Sequence, residues 1–344
     1  MTSINAMRLN QHEGLMVCDE ARYWNPEWMI FYTPEKIRSV VADEVRSERQ
    51  VVAFMGQTGT SSIGDEWLSE IRRAITRRVL GTQDAGSVPS IVTLDTLARI
   101  AFEEITHIKK AHIDDFLRAR FGFDSRAVIT GAYTDADGVE ITISDKDLIR
   151  NALKYMTFEG APEEVKGIFG NSQILAGYHP DDGFRIFYMT ERWPVCEEVQ
   201  EIFIAQGSGR DTCDLVYSRY ADHQPLSARR HMREINRSDA LMTMLRGVNT
   251  AMAQTAGVGG YPKIIWINGR KPASDWVLEI SDMRSRLAAE IVTAVDHRLI
   301  DPEIGRDLVD ALIFENADFI GINERLFASA TSGAALFRFL RRYK

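Results

Sequence analysis

Residues 2–9 read TSINAMRL and residues 14–22 read GLMVCDEAR, with the turn-like NQHEG between the two stretches. The first stretch alternates loosely between polar and apolar residues, and the second is a short apolar run that ends in charge. Two such segments around a glycine-containing turn predict a pair of antiparallel strands. The first strand then starts at Thr2, where most proteins carry a few loose polar residues. This position raises the hypothesis that Thr2 becomes the first residue and that its free amine has a purpose.

Beyond this pair, the chain alternates between groups of predicted strands and groups of predicted helices. Aromatic and β-branched runs predict further strands, and two of them flank the strong turn signal PDDG. The predicted strands are WMIFYT (28–33), VVAFMG (51–56), QILAGYH (173–179), FRIFYMT (184–190), EIFIAQGSG (201–209) and YPKIIWING (261–269). Apolar residues at helical spacing predict helices at about 65–80, 94–120, 212–220 and 238–256, and in a tail from 281 in which Pro302 begins a new helix. Segregated strands and helices favour stacked antiparallel sheets covered by helix pairs, an α+β fold.

Bulk composition excludes several classes of function. The chain has 344 residues, of which 45% are hydrophobic and 26% charged, and a net charge of −8. No basic stripe is present, so we expect no nucleic-acid partner. No apolar run reaches the length of a membrane span, so we expect no membrane partner. Three scattered cysteines are typical of a reducing compartment, which predicts a cytoplasmic protein.

No cofactor or metal is expected either. His107 and His112 are five residues apart on a predicted helix, the wrong spacing for a shared metal face. The loop GQTGTSSIG (56–64) lacks the Lys-Ser/Thr pair that ends a phosphate-binding loop.

Taken in order along the chain, the motifs resemble the proteasome β-subunit family of N-terminal nucleophile (Ntn) hydrolases and its bacterial threonine peptidase relatives. TSINAMRL is similar to the opening strand that begins with the nucleophilic threonine, and GLMVCDEAR is similar to the segment with the family's aspartate. PEKIRSV, VVAFMGQTG, the 173–190 hairpin, IAQGSG and GVGGYPKIIWI are similar to the later segments. The resemblance covers residues 2–80 and 172–268.

The resemblance implies a four-layer αββα sandwich with two stacked antiparallel sheets. It places an Ntn-hydrolase domain at residues 2–268, with an insert at about 122–170, and a mostly helical C-terminal extension at 269–344. In the insert, RAVITGAYTDADGVEITIS (126–144) predicts a hairpin about its ADG turn, and DLIRNALKYM (147–156) predicts a short helix. Family members assemble into rings, which implies a ring or another homo-oligomer, and leaves open whether an ATPase docks on it.

The resemblance also implies a threonine peptidase or amidohydrolase that acts on a peptide or protein substrate. Thr2 would be the nucleophile after removal of Met1, with its own α-amine as the general base. Such an amine has an unperturbed pKa of about 7.7–8.0, well matched to neutral pH. Asp19 and Lys36 would form a charge pair beneath Thr2. The remaining two candidates are Ser208, which would hydrogen-bond the amine, and Gly56, whose backbone N–H would face the oxyanion.

Two departures keep other interpretations open. Thr255 and Val258 stand where the family carries an aspartate and a serine that assist the catalytic amine. Their replacement favours a catalytically silent subunit that keeps the fold as a structural or interaction module. A third interpretation is a small-molecule amidase or peptide ligase of the same fold, with the insert capping its site. Retention of Thr2, Asp19, Lys36 and Ser208 together favours an enzyme.

Overall fold

Two antiparallel sheets form the centre of the protein. The computed structural model describes residues 2–24, 29–32, 36–59, 61–80, 92–135, 137–157, 170–190, 195–224, 234–255 and 258–340. The strands are β1 (Ser3–Asn10), β2 (Glu13–Cys18), β3 (Ala21–Trp24), β4 (Met29–Tyr32), β5 (Ile37–Ser39), β6 (Val52–Thr58), β7 (Ala132–Thr134), β8 (Glu140–Thr142), β9 (Ser172–His179), β10 (Gly183–Thr190), β11 (Val195–Glu198), β12 (Phe203–Gly207), β13 (Lys263–Asn268) and β14 (Val277–Ile280). The first sheet has the order β12-β1-β2-β13-β14, and the second has the order β11-β10-β9-β6-β5. Two short hairpins, β3-β4 and β7-β8, stand apart from them.

The helices of the described residues lie between groups of strands and after the last strand. They are α1 (Asp43–Arg49), α2 (Ser61–Leu80), α3 (Leu94–Phe121), α4 (Ser125–Thr130), α5 (Lys146–Thr157), α6 (Arg210–His223), α7 (Arg237–Gln254), α8 (Met283–Asp296), α9 (Pro302–Ile313), α10 (Phe319–Ala328) and α11 (Gly333–Leu340). Pro302 is the first residue of α9, as predicted, because its missing N–H has no partner to lose there. None of the described helices combines the length and apolar character that a bilayer crossing requires.

Residue alternation along β1 explains how the two sheets and the helices share their cores. Ile4 and Ala6 face a buried cluster that also contains Phe54 and Ile174 of the second sheet. Met7 points the other way, into a cluster with residues of α6 to α11. Since strand side chains alternate between faces, one strand serves both cores. The far face of the second sheet packs on α2 and α3 in a third cluster.

The insert differs from its sequence-based prediction at one point. Residues 126–130 lie in α4 rather than in a hairpin arm, because the side chain of Asp124 accepts the Ala127 N–H and caps the helix. The hairpin is therefore limited to β7 and β8. The predicted helix at 147–156 is present as α5. Leu117 of α3 and Ala152 of α5 share a small buried cluster, so the insert packs on the end of α3.

The segments between the predicted elements hold further structure. The sequence pattern does not predict the strands β3, β5, β11 and β14 or the helix α1, since each is short and lacks a clear hydrophobic period. β14 pairs with β13, so the first sheet continues beyond residue 268. The helices after it pack in the same buried cluster as the first sheet.

Candidate active site

Thr2 lies directly before β1 and is held by the turn that follows β12. Its side chain and backbone are buried, with 7% of the residue exposed. The Thr2 backbone nitrogen is 3.0 Å from Ser208 Oγ, and the same hydroxyl is 3.4 Å from the Thr2 carbonyl oxygen. Gly209 N–H also donates to that carbonyl oxygen, at 3.3 Å. Ser208 therefore contacts both backbone polar groups of Thr2, although 206 residues separate them in sequence.

Small residues on both sides of Ser208 allow this approach. Gly207 has φ of +97°, a conformation that residues with a side chain rarely adopt. A Cβ there would stand 2.1 Å from the Thr2 carbonyl oxygen. A Cβ at Gly209 would have less conflict: it would stand 3.0 Å from Cβ of Ala251 and 3.1 Å from Cβ of Ser3, slightly closer than ordinary contact. The glycines of the GSG turn thus let the chain start pack against the start of α6.

Asp19 is the centre of the hydrogen-bond network next to Thr2. It is fully buried, and its Oδ1 accepts the Ser3 N–H at 2.7 Å and Lys36 Nζ at 2.8 Å. Its Oδ2 accepts the Gly259 N–H at 3.0 Å. The carboxylate therefore joins β1, the end of β2, the start of β5 and the loop after α7. Ser3 directly follows Thr2, so this network also determines where Thr2 lies.

Burial and charge act on Asp19 in opposite directions. Burial raises the pKa of the Asp19 carboxyl above its ordinary value, while Lys36 and the N–H groups of Ser3 and Gly259 act to lower it. Lys36 itself is only 4% exposed. The ion pair is therefore buried, and removal of either side chain would leave the other as an uncompensated buried charge.

Gly56 lies close to the other candidates, but its N–H points elsewhere. It pairs with Ile37 of β5 and Ile174 of β9, in the middle of the second sheet. Because the Gln57 N–H donates to the Lys36 carbonyl on the β5 side, the N–H of Gly56 faces β9. The structure therefore places this N–H in the sheet ladder and not towards Thr2, in contrast to its predicted oxyanion role.

The reason for a glycine at position 56 is close packing. A Cβ there would stand 2.5 Å from Cγ2 of Ile4. The next glycine of GQTG, Gly59, lies at the junction of β6 and α2 with φ of +105°, and its Cβ would overlap Asn171 Oδ1.

Two further buried charged residues adjoin the site, and the sequence motifs did not identify either of them. Glu20 follows Asp19, is 4% exposed, and its N–H donates to the Gly259 carbonyl at 3.1 Å. Burial raises the pKa of Glu20 to about 7. Lys263 at the start of β13 is 5% exposed, its Nζ donates to the Ile37 carbonyl at 3.0 Å, and it forms an ion pair with Glu279. A charge next to an apolar run was the only sequence signal for either residue.

Comparison with known proteins supports the fold. No protein-family model matches the chain, and no curated protein sequence matches it. Among solved structures, the chain is similar to Anbu (ancestral beta-subunit) from Yersinia bercovieri, with a TM-score of 0.52 and 9% sequence identity. The match covers 86% of this chain and 97% of that chain. The two chains therefore share their overall fold, and at this identity the likeness concerns the fold alone.

Proposed function

We propose that this protein is an N-terminal threonine hydrolase that cleaves peptide or other amide bonds. In this proposal Met1 is removed, Thr2 is the nucleophile, and the two sheets with their helices form the four-layer αββα sandwich of that class. The observation that carries the proposal is the position of the Thr2 nitrogen, which lies 3.0 Å from Ser208 Oγ. The next residue, Ser3, donates its N–H to Asp19, the partner of Lys36. Nothing in an ordinary first strand requires a buried ion pair at its start.

The proposed reaction needs only groups that the chain itself supplies. The free amine of Thr2 accepts the proton of the Thr2 hydroxyl as its Oγ1 attacks the substrate carbonyl carbon. The amine then gives this proton to the leaving nitrogen, and the acyl group remains on Oγ1 as an ester. Water attacks the ester in the second half, with the amine again as the base, and releases the acid. Ser208 Oγ, within hydrogen-bond distance of the nitrogen, orients the amine and relays its proton.

The ion pair has an electrostatic role in this proposal. A positive charge near an amine favours the neutral form that accepts a proton, and it also favours an alkoxide over a hydroxyl. Lys36 supplies that charge, and Asp19 holds it in place through a 2.8 Å hydrogen bond. Asp19 in turn is held by backbone N–H groups, so the positive charge has a defined position. Gly56 directs its N–H to β9, so the proposal assigns no oxyanion donor to it.

Other nucleophiles near the site are poor candidates. Cys18 ends β2 and is fully buried, and burial raises the pKa of its thiol to about 12. A thiol of that pKa carries almost no thiolate at neutral pH, so it is inert as a nucleophile. Cys213 is also buried, and burial likewise raises the pKa of its thiol.

A second function, a catalytically silent subunit, rests on the loop after α7. Val258 is a buried apolar residue where the family carries a serine, and the loop contacts Asp19 through the Gly259 backbone N–H. In that function the network around Asp19 only holds the chain start in place. We propose self-association in either case, because the similar solved structure is described as a beta-subunit, a part of an assembly.

Intact mass separates the two functions. The purified protein is weighed before and after treatment with a threonine-directed epoxyketone, which reacts with both the hydroxyl and the free amine of an N-terminal threonine. The hydrolase proposal expects loss of Met1 and a single adduct that is absent from Thr2→Ala. Retention of Met1 without an adduct would contradict it and favour the silent subunit. Peptide and small-amide libraries then distinguish a peptidase from a small-molecule amidase or ligase.

A further inference from the structure

Lys263 connects the two sheets at the edge where Lys36 enters the site. It belongs to β13 of the first sheet, opposite Cys18 and thus one residue from the level of Asp19. Its Nζ crosses to the second sheet and donates to the carbonyl oxygen of Ile37 at 3.0 Å. Ile37 directly follows Lys36. One buried side chain therefore spans from the strand beside Asp19 to the strand that carries its partner.

The strand that Lys263 reaches lies at the edge of the second sheet. β5 is three residues long and is the outer strand of the second sheet, with β6 as its neighbour in that sheet. The Gln57 N–H donates to the Lys36 carbonyl at 3.3 Å, a long bond for a sheet. Short outer strands open more readily than central ones because fewer hydrogen bonds must break. The bond from Lys263 adds a second anchor from the opposite sheet.

We propose that Lys263 is a positioning residue, which holds β5 against the first sheet and thereby keeps Lys36 Nζ on Asp19. Its charge is balanced by Glu279 of β14, which is 44% exposed at its side chain and lies at the solvent edge of the first sheet. The ion pair with Glu279 neutralises the lysine, and the bond to Ile37 does the positioning. The proposal predicts that these two contacts have separable effects. Its consequence for catalysis rests on the proposed function, while its consequence for Lys36 does not.

The reactivity of Lys36 towards an acetylating reagent tests the proposal without any substrate. A buried lysine in an ion pair reacts only when the segment around it opens, and peptide mass spectrometry reads each lysine separately. In Lys263→Met, which keeps the volume but removes the donor, we expect Lys36 to be acetylated about tenfold faster than in the wild type. In Glu279→Gln, which keeps the bond to Ile37, the rate stays within about twofold of the wild type.

A destabilised control variant separates positioning from general loosening. Leu308→Ala removes a buried side chain of α9 in a different buried cluster from Ile37, and it lowers overall stability. If Leu308→Ala exposes Lys36 as much as Lys263→Met does, or if Lys263→Met leaves Lys36 protected, the proposal is wrong. Lys263→Arg keeps a donor of similar reach, and restored protection of Lys36 supports the proposal.

The wild-type protein offers a test that does not depend on folding of a variant. Partial acetylation followed by fragmentation of the intact chain in the mass spectrometer shows which lysines are modified on the same molecule. The proposal expects chains acetylated at Lys263 to carry acetyl groups on Lys36 more often than independent reaction predicts. Independent modification of the two lysines would refute it.

For catalysis, the proposal expects the rate of epoxyketone adduct formation at Thr2 to fall about tenfold in Lys263→Met but not in Leu308→Ala. Absence of an adduct in the wild type refutes the proposed function alone.

Discussion

Replacement of Lys36 by methionine tests the buried network in the most direct way. Coulomb's law at an effective dielectric constant of about 20 gives roughly 6 kcal/mol for unit charges separated by the 2.8 Å between Lys36 Nζ and Asp19 Oδ1. Dehydration of both ions offsets several kcal/mol of this attraction, so removal of one partner of a buried pair costs about 3–5 kcal/mol. Asp19 keeps the N–H donors of Ser3 and Gly259. We therefore expect a loss at the lower end, about 3 kcal/mol at pH 7.

The loss has a characteristic pH dependence. Lys36 acts to lower the pKa of Asp19, which burial raises, so Lys36→Met raises that pKa further. A carboxyl whose folded-state pKa is raised contributes stability below its unfolded pKa and loses it as pH rises through the folded pKa. Low pH favours the neutral carboxyl, which costs less to bury than the carboxylate. The destabilisation is therefore small at pH 4 and grows towards pH 7.

Urea unfolding followed by circular dichroism measures this effect in wild type, Lys36→Met, Asp19→Asn and the double variant. The double-mutant cycle isolates the interaction of the two side chains, and we expect a coupling of about 2–3 kcal/mol at pH 7. A coupling below about 0.5 kcal/mol is typical of an exposed surface pair. Such a value, or a loss that does not change between pH 4 and pH 7, would refute the buried network as described.

Three further predictions concern neighbouring residues. Burial raises the pKa of Glu20 to about 7, so the wild-type protein loses stability as pH rises from the unfolded pKa of about 4.5 through about 7. Urea unfolding at several pH values should show that Glu20→Gln removes about 1–3 kcal/mol of this loss. An unchanged slope would contradict the assignment. Gly56→Ala forces a Cβ to within 2.5 Å of the neighbouring isoleucine of β1 and lowers stability by about 1–3 kcal/mol in the same assay, whereas Gly333→Ala, which meets no atom within 4 Å, has little effect. Equal stability of the two variants would show that the contact relaxes freely. Ser208→Ala slows epoxyketone adduct formation at Thr2 by about 10–100-fold with little change in stability, since the amine loses its hydrogen-bond partner; an unchanged rate would exclude a role for the hydroxyl.

Much of the architecture could be read from local patterns. The hairpin at 173–190 is present as β9 and β10, because PDDG specifies the turn and the flanking runs are apolar and β-branched. The long helices α2, α3 and α7 follow from their hydrophobic period. β5 and β14 escaped prediction, because a strand of three or four residues is specified by its neighbours in the sheet and not by its own sequence.

For the candidate site, the sequence determined which residue types are available, and the tertiary structure decided their relations. A threonine at position 2, an aspartate at the end of an apolar run and a serine between two glycines are all legible in one dimension. That Ser208 reaches the Thr2 nitrogen across 206 residues, and that Lys36 is buried against Asp19, depends on the pairing of β12 with β1 and the packing of the two sheets. The direction of the Gly56 N–H depends on ladder register, which a sequence pattern does not specify. The buried charges of Glu20 and Lys263 depend on long-range contacts as well, since burial is a property of the surroundings that a residue acquires only when distant segments meet.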